Sequence, residues 1–490
     1  MSEAAAETLA VPPLIYQIEL GFPPGVAPRW AALGQVSGAR RHPRPTQLIW
    51  HDTSTADLAR HQLALAEQDG IWRLSALRPG KHVWPPASPP PLLAEAANFD
   101  DLGLAIASPV APVASFNGQI RQVEIVGSAG MVAARWLTGQ IRCVVDEAPD
   151  ARIELTGPRE ALLAAALALA EQGAFVPLSS LPQAALTLAE HGALPPRHLG
   201  AAQIPVESIN LADGLAFAIG QLVDTTLYWA ARIPPARNGE PVHQMRVAVR
   251  RLRSLLGTPR KTAVGEVWLV TKQKLGSLAR ELGDARAWDV FLEGAGAEMT
   301  RAWPDDRRIT SFVARARKQR ETAYAVLRAD LAGDRMRKMA VELALFAKLR
   351  PFVVHSEEIW TTDCREFAGA ALDRRLHKLS APGEDLDGLS ATELHEIRKN
   401  AKRLRYGCEL FAGFWGGKPV RKYLERLSEL QESLGEINDA ASLEPLLASL
   451  GPCGFAAGMA VGIATERARP ALKQAQTAWR KLLGTDEFWS

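Results

Sequence analysis

Two short stretches carry the side chains that could do chemistry. In "HQMRVAVRRLR" (243–253), His243, Arg246, Arg250, Arg251 and Arg253 follow one another without an acid between them. In "HEIRKNAKRLR" (395–405), His395, Arg398, Lys399, Lys402, Arg403 and Arg405 repeat the pattern. Guanidinium forks and ammonium groups make charge-assisted hydrogen bonds to anionic oxygens, phosphate above all. A cation every three or four residues recurs about once per 5.4 Å helical turn, which suits a linear polyanion better than a single phosphate. Lys274, Arg280 and Arg426 are second-rank members of the same set.

At about 100° per residue, His243, Arg246, Arg250 and Arg253 share an arc of about 80°. Met245, Val249, Leu252 and Leu256 occupy a separate arc fit for packing. The second stretch sets His395, Arg398, Lys402 and Arg405 against Ile397, Ala401, Leu404 and Cys408 in the same way. Arg-rich faces are often merely solvated, as "ARARKQRETAYAVLRADL" (314–331) reads with its interspersed acids. Like charges at i,i+4 repel by a few tenths of a kcal/mol per pair, so a stripe tolerated twice points to an anion.

The two stretches belong to a longer repeat. An offset of 152 residues (395 − 243) aligns Arg246 with Arg398, Arg250 with Lys402 and Arg253 with Arg405. The same offset lays "LGSLARELGDAR" (275–286) on "LSELQESLGEIN" (427–438), and Lys274 on Arg426. His243 and His395 recur on the cationic side of both copies. A buried histidine is commonly a satisfied core residue, and these two could instead bond phosphate or orient a neighbour.

The elements around these stretches divide the 490 residues in two. Up to about residue 200, strand-like pieces alternate with turns: "LIYQIELGF" (14–22), "TQLIWHD" (46–52), "GIWRLSAL" (70–77), "GQIRQVEIV" (118–126), "MVAARWL" (131–137), "GQIRCVVDE" (139–147) and "ARIELTG" (151–157). One helix is expected over 158–173, and the longest break is "RPGKHVWPPASPPPLL" (78–93). The texture changes near 195–208, and from Leu211 onward the apolar spacing is helical. The reading is an α+β chain: residues 1–202 an antiparallel β barrel or tunnel, and 203–490 all-α.

Composition narrows the function classes. A net charge of +3, with 47% hydrophobic and 23% charged residues, describes an ordinary globular chain with no bulk polyanion signal. Cys143, Cys364, Cys408 and Cys453 are widely spaced with no C-x-x-C, so neither a disulfide framework nor a zinc site is expected. The first twenty residues lack the basic and apolar regions of a leader, and no apolar run approaches the roughly 20 residues a bilayer requires. A cytoplasmic protein without membrane contact is expected. No P-loop, G-x-S-x-G or H-E-x-x-H occurs, so neither a catalytic residue nor a metal or other cofactor is assigned.

At these residues the chain resembles the CHAD family, the conserved-histidine α-helical domains. The resemblance rests on the two His/Arg stretches with "LGDARAWD" (282–289) and "LGEINDA" (434–440), four motifs in order. It implies two four-helix bundles related by a pseudo-twofold, at about 205–345 and 355–483. Their basic faces would line a cleft for inorganic polyphosphate, which implies association with polyphosphate granules. Ala287 stands where the family usually has Asp.

Residues 1–202 resemble the CYTH superfamily, whose β-tunnels hydrolyse triphosphates using acidic metal ligands and basic phosphate ligands. Its E-x-E-x-K signature reads Gln17, Glu19, Gly21 here, and its Arg-rich strand reads "LALAEQ" (63–68). The later lysine-bearing segment reads "SSLPQA" (179–184), so only Glu19, Asp146 and Glu154 survive. A degenerate tunnel kept as scaffold is therefore expected, because metal-assisted phosphoryl transfer needs several carboxylates and several cations. Two rival readings stand beside polyphosphate binding without catalysis. One is a metal-dependent triphosphatase or polyphosphatase in the tunnel; the other is nucleic-acid binding by the basic cleft, which phosphodiesters also fit but which is the less favoured.

Overall fold

The computed structural model describes residues 15–37, 42–77, 92–93, 109–190, 199–208, 210–236, 238–260, 264–353, 358–451 and 454–489. Most of the Pro-rich break at 78–93 lies outside the described residues, as do residues 1–14, the beginning of the texture change at 195–198, and Cys453. The chain forms two compact units, Met1–His198 with Arg337–Leu345, and Leu199–Met336 with Phe346–Ser490.

The first unit is built on one antiparallel sheet. Its strands are β1 (Tyr16–Gly21), β2 (Gln35–Ser37), β3 (Arg44–Asp52), β4 (Leu63–Gln68), β5 (Ile71–Ala76), β6 (Leu92–Leu93), β7 (Ala111–Gly127), β8 (Gly130–Arg142) and β9 (Glu147–Gly157). They run in the order β1-β9-β8-β7-β3-β4-β5-β6, with β2 on β7. The order is open at β1 and β6 among the described residues, so the tunnel is a curled half-barrel. Alternating burial along β7 to β9 sends Phe116, Ile120, Leu137, Ile153 and Leu155 into the core. Helix α2 (Arg159–Glu171) covers part of this sheet with Ala161, Leu162, Ala166 and Leu169.

The separate strands expected at 131–137 and 139–147 merge as far as Arg142 into one strand, β8, running through Gly139, and 143–146 turn the chain into β9. Gly139 pairs with Gly118 of β7. A Cβ at either would lie 2.3 Å from backbone of the facing strand. The two glycines let the ribbon continue at close approach, where the sequence suggests a turn. Two short helices, α1 (Asp57–Arg60) and α3 (Leu181–Leu188), were not expected; α3 opens on a capping box of Ser180 and Gln183.

The second unit is helical: α4 (Leu211–Ala230), α5 (Glu240–Leu255), α6 (Glu266–Glu293), α7 (Ala295–Ala302), α8 (Arg307–Ala332), the two ends of α9 (Asp334–Leu349), whose Arg337–Leu345 belong to the first unit, α10 (Cys364–Ser380), α11 (Ala391–Phe411), α12 (Gly417–Ala448) and α13 (Gly454–Leu483). Packing partners follow two parallel series. Helix α4 packs on α5, α5 on α6 and α6 on α8; α10 packs on α11, α11 on α12 and α12 on α13. Helices α5 and α11, the two His/Arg stretches, also touch each other. No helix among the described residues is long and apolar enough to cross a membrane.

The start of α5 lies against a buried carboxylate. Asp289 of α6 is 1% exposed and accepts hydrogen bonds from Arg320 Nε at 2.6 Å and the Tyr324 hydroxyl at 2.7 Å. A Cβ at Gly239, the residue before α5, would stand 2.6 Å from Asp289 Oδ2. Glycine there lets the positive end of the α5 dipole approach the carboxylate. Asp289→Ala should lower stability to chemical denaturation by about 3 kcal/mol, because Arg320 and Tyr324 lose their shared partner. An unchanged unfolding midpoint would mean α5 is anchored elsewhere.

Candidate anion-binding site

Packing, not local electrostatics, places the cations. Helix α5 buries Val242, Met245, Ala248, Val249, Leu252 and Leu255, and α11 buries Leu394, Ile397, Ala401, Leu404 and Cys408. Each larger apolar side chain contributes about 1.5–3 kcal/mol on burial, against a few tenths for each exposed like-charge pair. The apolar faces win, and the charged faces go where they are carried.

They are carried towards each other. Arg246, Arg250, Arg398 and Lys402 are all half-buried where α5 and α11 meet. Arg246 feels the charges of Arg250 and Arg398; Arg398 feels Arg250; Lys402 feels Arg250, Arg398 and Arg246. Arg398 is the repeat equivalent of Arg246, and Lys402 of Arg250. Each residue therefore meets its own equivalent and its neighbour's equivalent, the reciprocity a local twofold between the two helices produces.

The cluster pays for this in proton affinity. Burial first, then the surrounding guanidinium groups, lowers Lys402 to about 7. Arg246 is lowered to about 10 by burial, then by Arg250 and Arg398. Arg250 and Lys402 make no hydrogen bond or ion pair among the described residues. The Arg398 Nε–H is buried without a hydrogen-bond partner. Arg246 has one protein partner, its Nη1 donating to the Ala279 carbonyl at 2.9 Å. A Cβ at Gly283 would lie 2.6 Å from that Nη1, so the glycine of "LGDAR" makes room for the guanidinium.

The histidines stand over equivalent positions of the long helices. His395 Nδ1 lies 2.5 Å from Asn438 Oδ1 of α12. In the first copy, burial and then the charge of Arg286 hold His243 below the usual imidazole range. Arg286 and Asn438 are equivalent, so each histidine is positioned by its long helix beside the cations. Asp439, one residue further on, reaches Arg398 at 3.7 Å. Its equivalent is Ala287, and Arg246 has no ion pair among the described residues, although the charge of Asp284 acts on it.

The remaining predicted residues fall into two groups. Arg253 has no ion pair among the described residues, and burial followed by Arg250, Arg280 and Arg403 lowers its pKa. Arg280 bonds Ser277, and Arg403 bonds Asn400, so neither is in an ion pair among the described residues, though Glu396 lies near enough to feel the charge of Arg403. By contrast, Glu409 takes Arg251 at 3.3 Å and Arg405 at 2.9 Å. Glu429 takes Arg426 at 3.0 Å, and Glu396 takes Lys399 at 2.6 Å. Lys274 is exposed on α6.

Sequence reasoning missed Arg375 of α10. Its Nη2 donates to the Ser254 carbonyl at 2.9 Å and Thr258 Oγ1 at 2.7 Å, and its Nη1 to the Arg403 carbonyl at 2.5 Å. It staples the end of α5 to α11, and burial lowers its pKa to about 10. Gly407 was the available signal: a Cβ there would lie 2.5 Å from Arg375 Nη1.

In the half-barrel, two of the three surviving acids are paired with arginines, and the third, Asp146, accepts a hydrogen bond from the Glu147 backbone N–H at 2.8 Å. Arg152, 5% exposed, pairs with Glu19 at 2.6 Å and Asp150 at 2.7 Å, and Arg135 pairs with Glu154 at 2.8 Å. Burial raises the Glu19 pKa despite Arg152, which disfavours a carboxylate ready for a cation. Among the described residues no group of three or more His, Cys, Asp and Glu side chains could hold a metal ion.

Lys402 carries a stability consequence. The unfolded chain holds the lysine proton up to its ordinary value near 10.5, but the folded chain releases it near 7. Folding is therefore penalised in full below pH 7, and the penalty fades as pH rises from 7 towards 10.5. Lys402→Met should raise stability by about 1 kcal/mol at pH 6.5, and by less at pH 9. A melting series against pH checks this; a destabilised variant would make the ammonium a structural contact.

A family model for the CHAD domain matches residues 218–448, from within α4 to the end of α12. A protein of Mycobacterium tuberculosis (strain CDC 1551 / Oshkosh) described as uncharacterized is 26% identical over 422 residues, 78% of this chain and 79% of its own. The crystal structure of the CHAD domain from the plant Ricinus communis superposes with a TM-score of 0.47 at 24% identity, covering 59% of this chain and 97% of that one. PptA from Streptomyces chartreusis gives 0.42 at 19% identity, over 56% and 98%. Residues 218–448 of this chain are a CHAD domain.

Proposed function

We propose that this chain binds inorganic polyphosphate where α5 and α11 meet, as a binding protein and not an enzyme, and that binding brings it to polyphosphate granules. One observation carries the reading: four half-buried cations, Arg246, Arg250, Arg398 and Lys402, share one site with two carboxylates near it, Asp439 at 3.7 Å from Arg398 and Asp284 acting on Arg246. A polyphosphate supplies one negative charge per repeating unit and acceptor oxygens for every unfilled N–H, including Arg398 Nε. Arg253, Arg280 and Arg403 extend the positive surface beyond the four, which favours a polymer over a single phosphate. His243, uncharged at neutral pH, serves as a hydrogen-bonding neighbour rather than a fifth cation.

Arg250→Glu combined with Lys402→Glu should weaken long-chain polyphosphate binding by more than about 100-fold, with the helical circular dichroism spectrum retained. Loss of the fold would make both side chains structural. Equal displacement by RNA or DNA at matched phosphate concentration would replace polyphosphate with nucleic acid as the ligand. Orthophosphate release from tripolyphosphate with Mg²⁺ or Mn²⁺ would move the function to the half-barrel.

Binding should also be linked to protons. An anion favours the charged ammonium, so polyphosphate raises the Lys402 pKa from about 7 and draws in a proton on binding. Affinity should fall as pH rises from 7 to 9, and Lys402→Arg should flatten that fall. Titration calorimetry in buffers of different ionisation enthalpy reads the proton directly; no difference between buffers at pH 8 would exclude Lys402 from the contact.

A further inference from the structure

The repeat is symmetric in its helices but not in its charge: at the histidine end the first copy carries the extra acids, Glu240 and Glu293 against Thr392 and Pro445, whereas along the arginines the differences favour acids in the second copy. Where the first copy has Gly257, the second has Glu409, which holds both Arg251 and Arg405. Where the first has Ala287, the second has Asp439, which reaches Arg398. Arg280, whose charge Arg253 feels, has Glu432 as its equivalent. Ser277 has Glu429, which holds Arg426.

The two ends of the stripe accordingly differ. Arg253 lies over Gly276, with no acid paired to it, beside Arg280 and Arg403. Its equivalent, Arg405, is bonded to Glu409 and reaches Ser428 at 3.4 Å, and Ser428 in turn donates to Glu432 at 3.1 Å. At one end the guanidinium has only cations around it. At the other it is held in an acidic network.

From this we infer that the phosphate path is one-sided: a polyphosphate chain is held at the shared four-cation centre and leaves it over Arg253, Arg280 and Arg403, while Glu409 and Glu432 close the opposite exit. The inference rests on the polyphosphate reading and assigns that ligand a direction. A phosphate chain carries about one negative charge per unit, so each unit passing Glu409 and Glu432 would meet repulsion where its counterpart at Arg253 meets attraction. The twofold alone would allow a chain to run either way; the acids of the second copy remove one of the two.

The test compares matched neutralisations at the two ends. Arg253→Gln with Arg280→Gln should lower the affinity for long-chain polyphosphate about tenfold or more. Arg405→Gln with Arg426→Gln, whose charges are taken by Glu409 and Glu429, should change it less than about twofold. Glu409→Gln, which frees Arg251 and Arg405, should strengthen binding. Far-ultraviolet circular dichroism and melting confirm that each variant is folded, and the Glu409 variant still decides the matter if the Arg405 pair fails to fold. Equal losses from the two arginine pairs, or weaker binding by Glu409→Gln, would overturn the one-sided path and leave the polyphosphate reading standing. A wild-type protein that ignores polyphosphate would overturn both.

Discussion

Everything about the helical unit turns on a repulsion it does not relieve. Arg246, Arg250, Arg398 and Lys402 are brought into one region by helices whose opposite faces are buried. The strain is visible in Lys402, an ammonium held so that it titrates near neutrality. A fold selected for stability alone would place a carboxylate among them or replace one with an apolar residue. The chain instead spends its acids one shell away, on Asp439 and Glu409, and its glycines on clearance for guanidinium groups at Gly283 and Gly407. Stability surrendered at a site is the common physical signature of a site built for a ligand.

The neighbouring interactions make sense as supports for that arrangement. Asp289, held by Arg320 and Tyr324, lies against the start of α5, and Arg375 fixes the end of α5 against α11. The Arg375 staple resists rotation of the cations away from one another. The half-barrel follows the opposite rule at two of its surviving acids, since Glu19 and Glu154 each have an arginine at ion-pair distance. The two sites thus treat charge in contrary ways: the sheet pairs these acids internally, whereas the four cations where α5 and α11 meet have little local compensation.

Much of this was legible from residue spacing. The helical period, the fixed 152-residue offset and the His/Arg stretches locate α5, α6, α11 and α12 and put the stripe on one face. Spacing along a helix says nothing about which acids reach that face from other turns, so Arg251 and Arg405 read as equal to Arg250 and Lys402, when a carboxylate holds the former two. Arg375 was invisible because "DRRLHKL" has the look of a solvated surface, and its role depends on two carbonyls and a hydroxyl distant in sequence. In the sheet, period-two alternation found the long strands, while Gly139 read as a stop because its partner Gly118 is twenty-one residues earlier and only pairing shows the two together.

The covalent joining of the two copies has a consequence of its own. In a dimer of identical subunits, any change at position 257 or 287 would appear on both sides of the axis, and the ligand would meet matching halves whichever way it lay. With both halves encoded in tandem on one polypeptide, Gly257 and Glu409 occupy corresponding places yet differ, as do Ala287 and Asp439. Fusion releases each half from mirroring the other, and a shared ancestral geometry becomes a device with a front and a back.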